Sequence, residues 1–117
     1  MDIQGLYAAA SVTDMERAEA FYTALLGCAP DDRPMDGLIQ WRPFDDAGIQ
    51  LFRDSDNAGH GSMTIVTPDM AAARTHLASN GLELGDDIQG DFGVIAQISD
   101  PDGNRIILAE PPAQVTS

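Results

Sequence analysis

Near residue 12 the chain reads Val12-Thr13-Asp14-Met15, and near residue 66 it reads Val66-Thr67-Pro68-Asp69-Met70, the same run with one proline inserted. The likeness extends beyond these runs. In each copy an alanine, Ala18 or Ala73, stands four residues after the aspartate. A glycine able to end a helix follows the aspartate by 13 residues at Gly27 and by 12 at Gly81. Each half then closes on an Ile-x-Leu strand, Ile49-Gln50-Leu51 and Ile106-Ile107-Leu108. One unit of this size exposes an unpaired sheet face, so two copies should pack or pair to bury it.

Local signals fill in the units. Residues 5–12 read as a buried strand. Thr13-Asp14-Met15-Glu16 reads as a capping box, and Met15, Ala18, Phe21, Tyr22, Leu25 and Leu26 then recur at helical spacing up to the stop at Gly27. Asp31 to Asp36 is turn-rich. Leu38 to Phe44 and Gly48 to Arg53 read as strands joined by the Asp45-Asp46-Ala47-Gly48 turn. A polar link, Asp54 to Gly61, precedes a strand at 62–66. The second helix opens at Thr67-Pro68-Asp69, with Pro68 expected at its first helical position, turns Met70, Ala73, Arg74 and Leu77 inward, and ends at Asn80-Gly81. Strand candidates follow at 83–88, 92–99 and 105–110. The last two are separated by Asp100-Pro101-Asp102-Gly103-Asn104, a strong turn signal. The sum is one α+β domain spanning 1–117, with modules at 5–54 and 60–110 and a frayed tail at 111–117.

Composition narrows the function. A chain of 117 residues with 44% hydrophobic content is expected to form one domain with one core. No apolar run approaches the roughly 18 residues that span a bilayer, and the first residues do not resemble a signal peptide. Cys28 is the sole cysteine, which excludes an internal disulfide; a cytoplasmic location is the expectation. Nineteen acidic residues face six basic ones, all arginine, for a net charge of −13. Such a charge repels phosphate backbones and anionic lipid, so neither nucleic-acid nor membrane-surface binding is expected. Its leading reading is solubility, or a salt-tolerant or high-GC source; the alternative is a field that attracts a cationic ligand.

Two segments carry a family likeness. Val12 to Gly27, with the pattern Val-x-Asp-x-Glu-Arg-Ala-x-x-Phe-Tyr-x-x-x-Leu-Gly, resembles the first-helix signature of the vicinal oxygen chelate superfamily of glyoxalases, extradiol dioxygenases and bleomycin-resistance proteins. Asp100 to Leu108 resembles that superfamily's closing turn and strand. The likeness spans roughly residues 5–110. It implies two tandem βαβββ modules forming a curved eight-stranded mixed sheet around a cavity, with helices outside and a homodimer as the common assembly.

Strand alternation selects the side chains that would face that cavity. Placing the all-aliphatic set of each strand against the helices leaves Tyr7, Gln50, Phe52, Arg105 and Ile107 as candidates, with Trp41 and Phe92 as apolar walls. Trp41 is more often a core residue than a binding platform, and Tyr7, Gln50 and Arg105 are equally polar groups satisfied at the cavity mouth. Metal-using members of the superfamily carry His, Glu or Gln ligands on the first and last strand of each module, where a divalent ion acts as a Lewis acid on two substrate oxygens. Carried over, those positions fall on Tyr7, on Gln50, within Gly61 to Met63, and on Ile107. Ile107 cannot bind a metal, and His60 lies one residue before the second-module window. His60 and His76 read as solvated, Cys28 as a small buried or loop residue, and Ser11 as lacking a histidine partner.

The expectation is therefore a metal-free, small-molecule-binding protein holding a cationic or aromatic compound, with no cofactor. One alternative is a metal-dependent lyase, isomerase or dioxygenase using one divalent ion through His60, Gln50 and a third donor. Another is a dimerisation or interaction module with a vestigial cavity.

Overall fold

Asp14 and Asp69, the repeated aspartates, start the two helices in the same way. Each has extended backbone, and its carboxylate accepts the amide of the residue three further on, Arg17 or Ala72, at 3.1 and 3.0 Å. In the computed structural model, which describes residues 1–42, 46–91 and 93–112, these caps fix α1 (Met15–Leu26) and α2 (Met70–Ser79). The capping box expected at Thr13 does not form. Asp14 is the cap, and the Thr13 hydroxyl donates instead to Asp102 of the other module at 2.7 Å. Pro68 likewise lies before the Asp69 cap rather than inside the helix. Gly27 and Gly81 both take φ of +77°, the left-handed geometry that lets a helix turn off without a Cβ clash.

Eight strands surround these helices in chain order: β1 (Leu6–Val12), α1, β2 (Asp32–Met35), β3 (Leu38–Trp41), β4 (Ala47–Arg53), β5 (Ser62–Val66), α2, β6 (Ile88–Gly90), β7 (Gly93–Ser99) and β8 (Arg105–Glu110). They form two four-stranded sheets of identical topology, β1-β4-β3-β2 and β5-β8-β7-β6. In each, the first and last strands of the module run parallel and the others antiparallel. The sheets adjoin along β1 and β5. This is the doubled βαβββ architecture.

Two expectations about strands are corrected. Asp31–Asp36, read as a turn, contains β2, and the strand expected at 83–88 is displaced to β6 at Ile88–Gly90. The Phe44 end of the 38–44 strand, Asp45 of the following turn, Phe92 and residues 113–117 of the tail lie outside the described residues.

One core runs through both modules. Val12, Ile49, Leu51 and Trp41 of the first sheet meet Phe21, Tyr22 and Leu25 of α1. Met63, Ala96, Ile106 and Leu108 meet Met70 and Leu77 of α2. Trp41 has no exposed surface, stands 6.1 Å from the Tyr22 ring, and donates its indole N–H to the Cys28 carbonyl at 3.0 Å.

A polar clasp ties the modules together. Asp100, only 5% exposed, accepts the Tyr22 hydroxyl at 2.9 Å, the Asn104 amide nitrogen at 2.8 Å and the backbone N–H groups of Asp102 and Asn104. Asn104 in turn bridges the sheets: its Nδ2 donates to the Ser11 carbonyl of β1, and its Oδ1 accepts the Gly61 amide just before β5, both at 2.8 Å. Burial, followed by the charge and hydrogen bond of Asp100, pushes the Tyr22 phenol well above its ordinary range. The two sequence segments that carry the family likeness are thus hydrogen-bonded to each other.

Candidate functional site

Cα partners across a sheet point to the same side, so the register assigns each face. On the first sheet, Tyr7 stands beside Gly48, Gln50 lies between Ala9 and Gln40, and Phe52 lies between Ser11 and Leu38. On the second, Ile107 lies between Thr64 and Gln97, and Arg105 lies between Ser62 and Ser99. All of these are on the side away from the helices. The structure therefore places Tyr7, Gln50, Phe52, Arg105 and Ile107 on the helix-free sheet faces, as alternation requires. On a single chain these faces are open to solvent: Tyr7 is 38% exposed and Arg105 is exposed, while Gln50, Phe52 and Ile107 are half-buried.

Local sequence sets these positions. A Cβ on Gly48 would stand 2.7 Å from the Tyr7 ring and collide with the Trp41 carbonyl, so glycine there is what lets the ring lie across the sheet. Gln50 Nε2 donates to Gln40 Oε1 at 2.6 Å, joining β4 to β3 on the open face. Gln40 was missed from the sequence, and Trp41 was misplaced as a cavity wall. Trp41 faces α1, because it alternates with Gln40 and pairs with buried Ile49. Applying the alternation rule to β3 as well would have found one and excluded the other.

The inserted Pro68 left the second-module register open, and the helix caps close it. Ser62 lies seven residues before the Asp69 cap, as Tyr7 lies seven before Asp14. The next open-face positions, Ala9 and Thr64, pair with Gln50 and Ile107 respectively. The four positions corresponding to the superfamily's ligands are therefore Tyr7, Gln50, Ser62 and Ile107. They do not fit a divalent ion. One is aliphatic, two are hydroxyls, and the Gln50 amide oxygen is left as a lone neutral donor of the kind such ions take. His60 is exposed in the loop before β5, and among the described residues no three His, Cys, Asp or Glu side chains converge.

His76 corrects its own expectation. Rather than facing water on α2, it is half-buried, with Nε2 3.0 Å from the Ala24 carbonyl near the end of α1. It links the helices of the two modules. Cys28 is exposed just beyond α1.

A doubled βαβββ domain whose two sheets each leave one open face carrying polar and apolar side chains defines the class. The family model described as Glyoxalase/Bleomycin resistance protein/Dioxygenase superfamily matches residues 6–108, and the chain belongs to that superfamily. A glyoxalase/bleomycin resistance protein from Catenulispora acidiphila is 26% identical over 95% of this chain and 100% of its own, with a TM-score of 0.87. TnmS3, an antibiotic binding protein from Streptomyces sp. CB03234, is 25% identical over 95% of this chain and 96% of its own, with a TM-score of 0.76. A bleomycin resistance determinant encoded on the transposon Tn5 shares the fold at 18% identity and a TM-score of 0.77, over 92% of this chain and 97% of its own. Among curated proteins none matches the sequence significantly. No helix among the described residues is long and apolar enough to cross a membrane.

Proposed function

We propose that this protein holds a small organic molecule on the open faces of its two sheets, without a metal and without chemical conversion. The observation that carries the reading is the donor set. Positions that would hold a chelating ion present Tyr7, Gln50, Ser62 and Ile107, a mixture of aromatic, amide, hydroxyl and aliphatic groups suited to shape and hydrogen bonding. Tyr7 and Phe52 offer ring surface to an aromatic body, and the Gln40–Gln50 pair offers a carbonyl and an amide beside it. The antibiotic binding protein TnmS3, similar over nearly the whole length, supports the same class of activity.

An open face on each chain favours assembly. Leu6 is 75% exposed and Met35 64% exposed on the first sheet, surface that a second copy would cover, so the functional unit is inferred to be a homodimer.

Equilibrium dialysis against a panel of cationic antibiotics and aromatic metabolites tests the reading. Saturable binding is expected for at least one member, weakened about tenfold or more by Phe52→Ala, a loss of roughly 1.4 kcal/mol of contact. No saturable binding by any member contradicts it. The metal-dependent alternative has its own readout, stoichiometric Ni, Zn, Mn or Fe in the purified protein, lost on substitution of Gln50 or His60.

A further inference from the structure

Arginine accounts for every basic side chain of this chain, and four of the six are neutralised at close range. Arg33 pairs with Glu19, Arg42 with Asp32, Arg53 with Asp36 and Arg74 with Asp87, at 2.6 to 2.8 Å. Among the described residues Arg17 and Arg105 have no such carboxylate. Arg17 lies on the exposed side of α1. Arg105 stands at the head of β8 on the open sheet face, with Ser62 and Ser99 as its Cα partners on either side.

The rows that follow along β8 change character in order. First comes the charged row Ser62-Arg105-Ser99, an arginine flanked in register by two serines. Next is a mixed row, Thr64-Ile107-Gln97. Last is Val66-Ala109-Ile95, an apolar row with half-buried Ile95 paired onward to exposed Ile88. Four residues separate Arg105 from Ala109, roughly 13 Å of strand. A planar guanidinium matches a carboxylate with two parallel hydrogen bonds, and hydroxyls beside it can donate to the same oxygens.

We propose that the open face of the second sheet is an amphipathic-anion subsite. It takes the carboxylate of an aryl or alkyl acid on Arg105, Ser62 and Ser99, and lays the apolar body along Ile107 toward Val66 and Ile95. The proposal rests on the reading of the sheet faces as a ligand site and fixes the charge of the occupant there. The net charge of −13 favours cations only as a long-range field, screened within about 8 Å at physiological ionic strength, whereas Arg105 meets its partner by contact.

The experiment titrates 4-phenylbutyrate, and separately its neutral amide, into isotopically labelled full-length protein, following backbone amides and arginine Nε–Hε signals by NMR. The acid is expected to bind about tenfold more tightly than the amide, the size of one charge-assisted contact. It should move the Arg105 Nε signal and the amides of Ser62, Ser99 and Ile107, and leave Arg17 unmoved as the exposed guanidinium control. Arg105→Gln, a surface change that leaves the core untouched, should erase the preference for the acid.

Equal affinity for acid and amide would overturn the subsite and leave the ligand-binding reading standing. So would equal movement of Arg17, or a preference that survives Arg105→Gln. Binding of neither compound overturns the subsite, while the dialysis panel decides the broader reading independently. Signals of Val66, Ile95 and Ala109 that move on dilution alone and ignore the acid would show a second copy covering these rows, and would also overturn it.

Discussion

Asp100 gathers four donors around one buried carboxylate. Asp100→Asn replaces an acceptor oxygen with a donor facing other donors. The expected loss is about 1–3 kcal/mol, or roughly 4 °C of melting temperature per kcal/mol in a chain of this size. Tyr22→Phe removes one of the donors and should cost about 1 kcal/mol. It also tests a pH dependence. The Tyr22 phenol titrates higher in the folded state, so the unfolded chain loses that proton first as pH rises. The stabilisation is therefore complete below pH about 10 and is lost above it. Urea midpoints measured from pH 8 to 11 should fall steeply at the alkaline end in the parent and less steeply in Tyr22→Phe. Tyr7, Gln50, Phe52, Arg105 and Ile107 were legible because alternation is a short-range geometric rule. Trp41 is the core residue of the two readings open to it, because its register pairs it with buried Ile49, and Asp100 was legible only as a turn former, since Tyr22 lies 78 residues away in sequence.

Elements repeat the lesson over longer distances. Both helices and their glycine stops could be read directly, because caps, apolar spacing and left-handed exits are local. The edge strands could not: β2 contains Arg33 and Pro34, and β6 is three residues long, so each takes its definition from hydrogen bonds to β3 or β7 rather than from its own pattern. The start of α1 was misread for a related reason. Thr13 has the residue type of a cap, but its hydroxyl and backbone amide both donate to Asp102 of the opposite module, at 2.7 and 3.1 Å. Thr13→Val and Asp102→Ala should therefore be strongly non-additive. A double-mutant cycle is expected to show a coupling of about 0.5–1.5 kcal/mol, and a coupling near zero would mean that the motifs do not hold the modules together. Asn104→Ala removes the bridge between β1 and the segment before β5. It should cost about 2–3 kcal/mol, because the Gly61 amide and Ser11 carbonyl lose their partner at once.

At the scale of the molecule, the repeat placed two modules together, and the strand register turned that into two open faces. What sequence could not supply was the pairing of charges. Four arginines are spent on carboxylates scattered between positions 19 and 87, and only the three-dimensional arrangement leaves Arg105, on a sheet face, without an ion pair among the described residues. A homodimer is the proposed assembly. Light scattering after size exclusion at micromolar concentration should give twice the 12.5 kDa chain mass, and a value near 12.5 kDa would remove the partner copy from the account. The central claim is recognition that needs no metal, and a binding isotherm on chelator-stripped protein tests it most directly. Titrated with the best compound from the dialysis panel, the stripped protein should show saturable binding of unchanged affinity, insensitive to added Ni, Zn, Mn or Fe. Affinity that disappears on stripping and returns with one of those ions would contradict the claim.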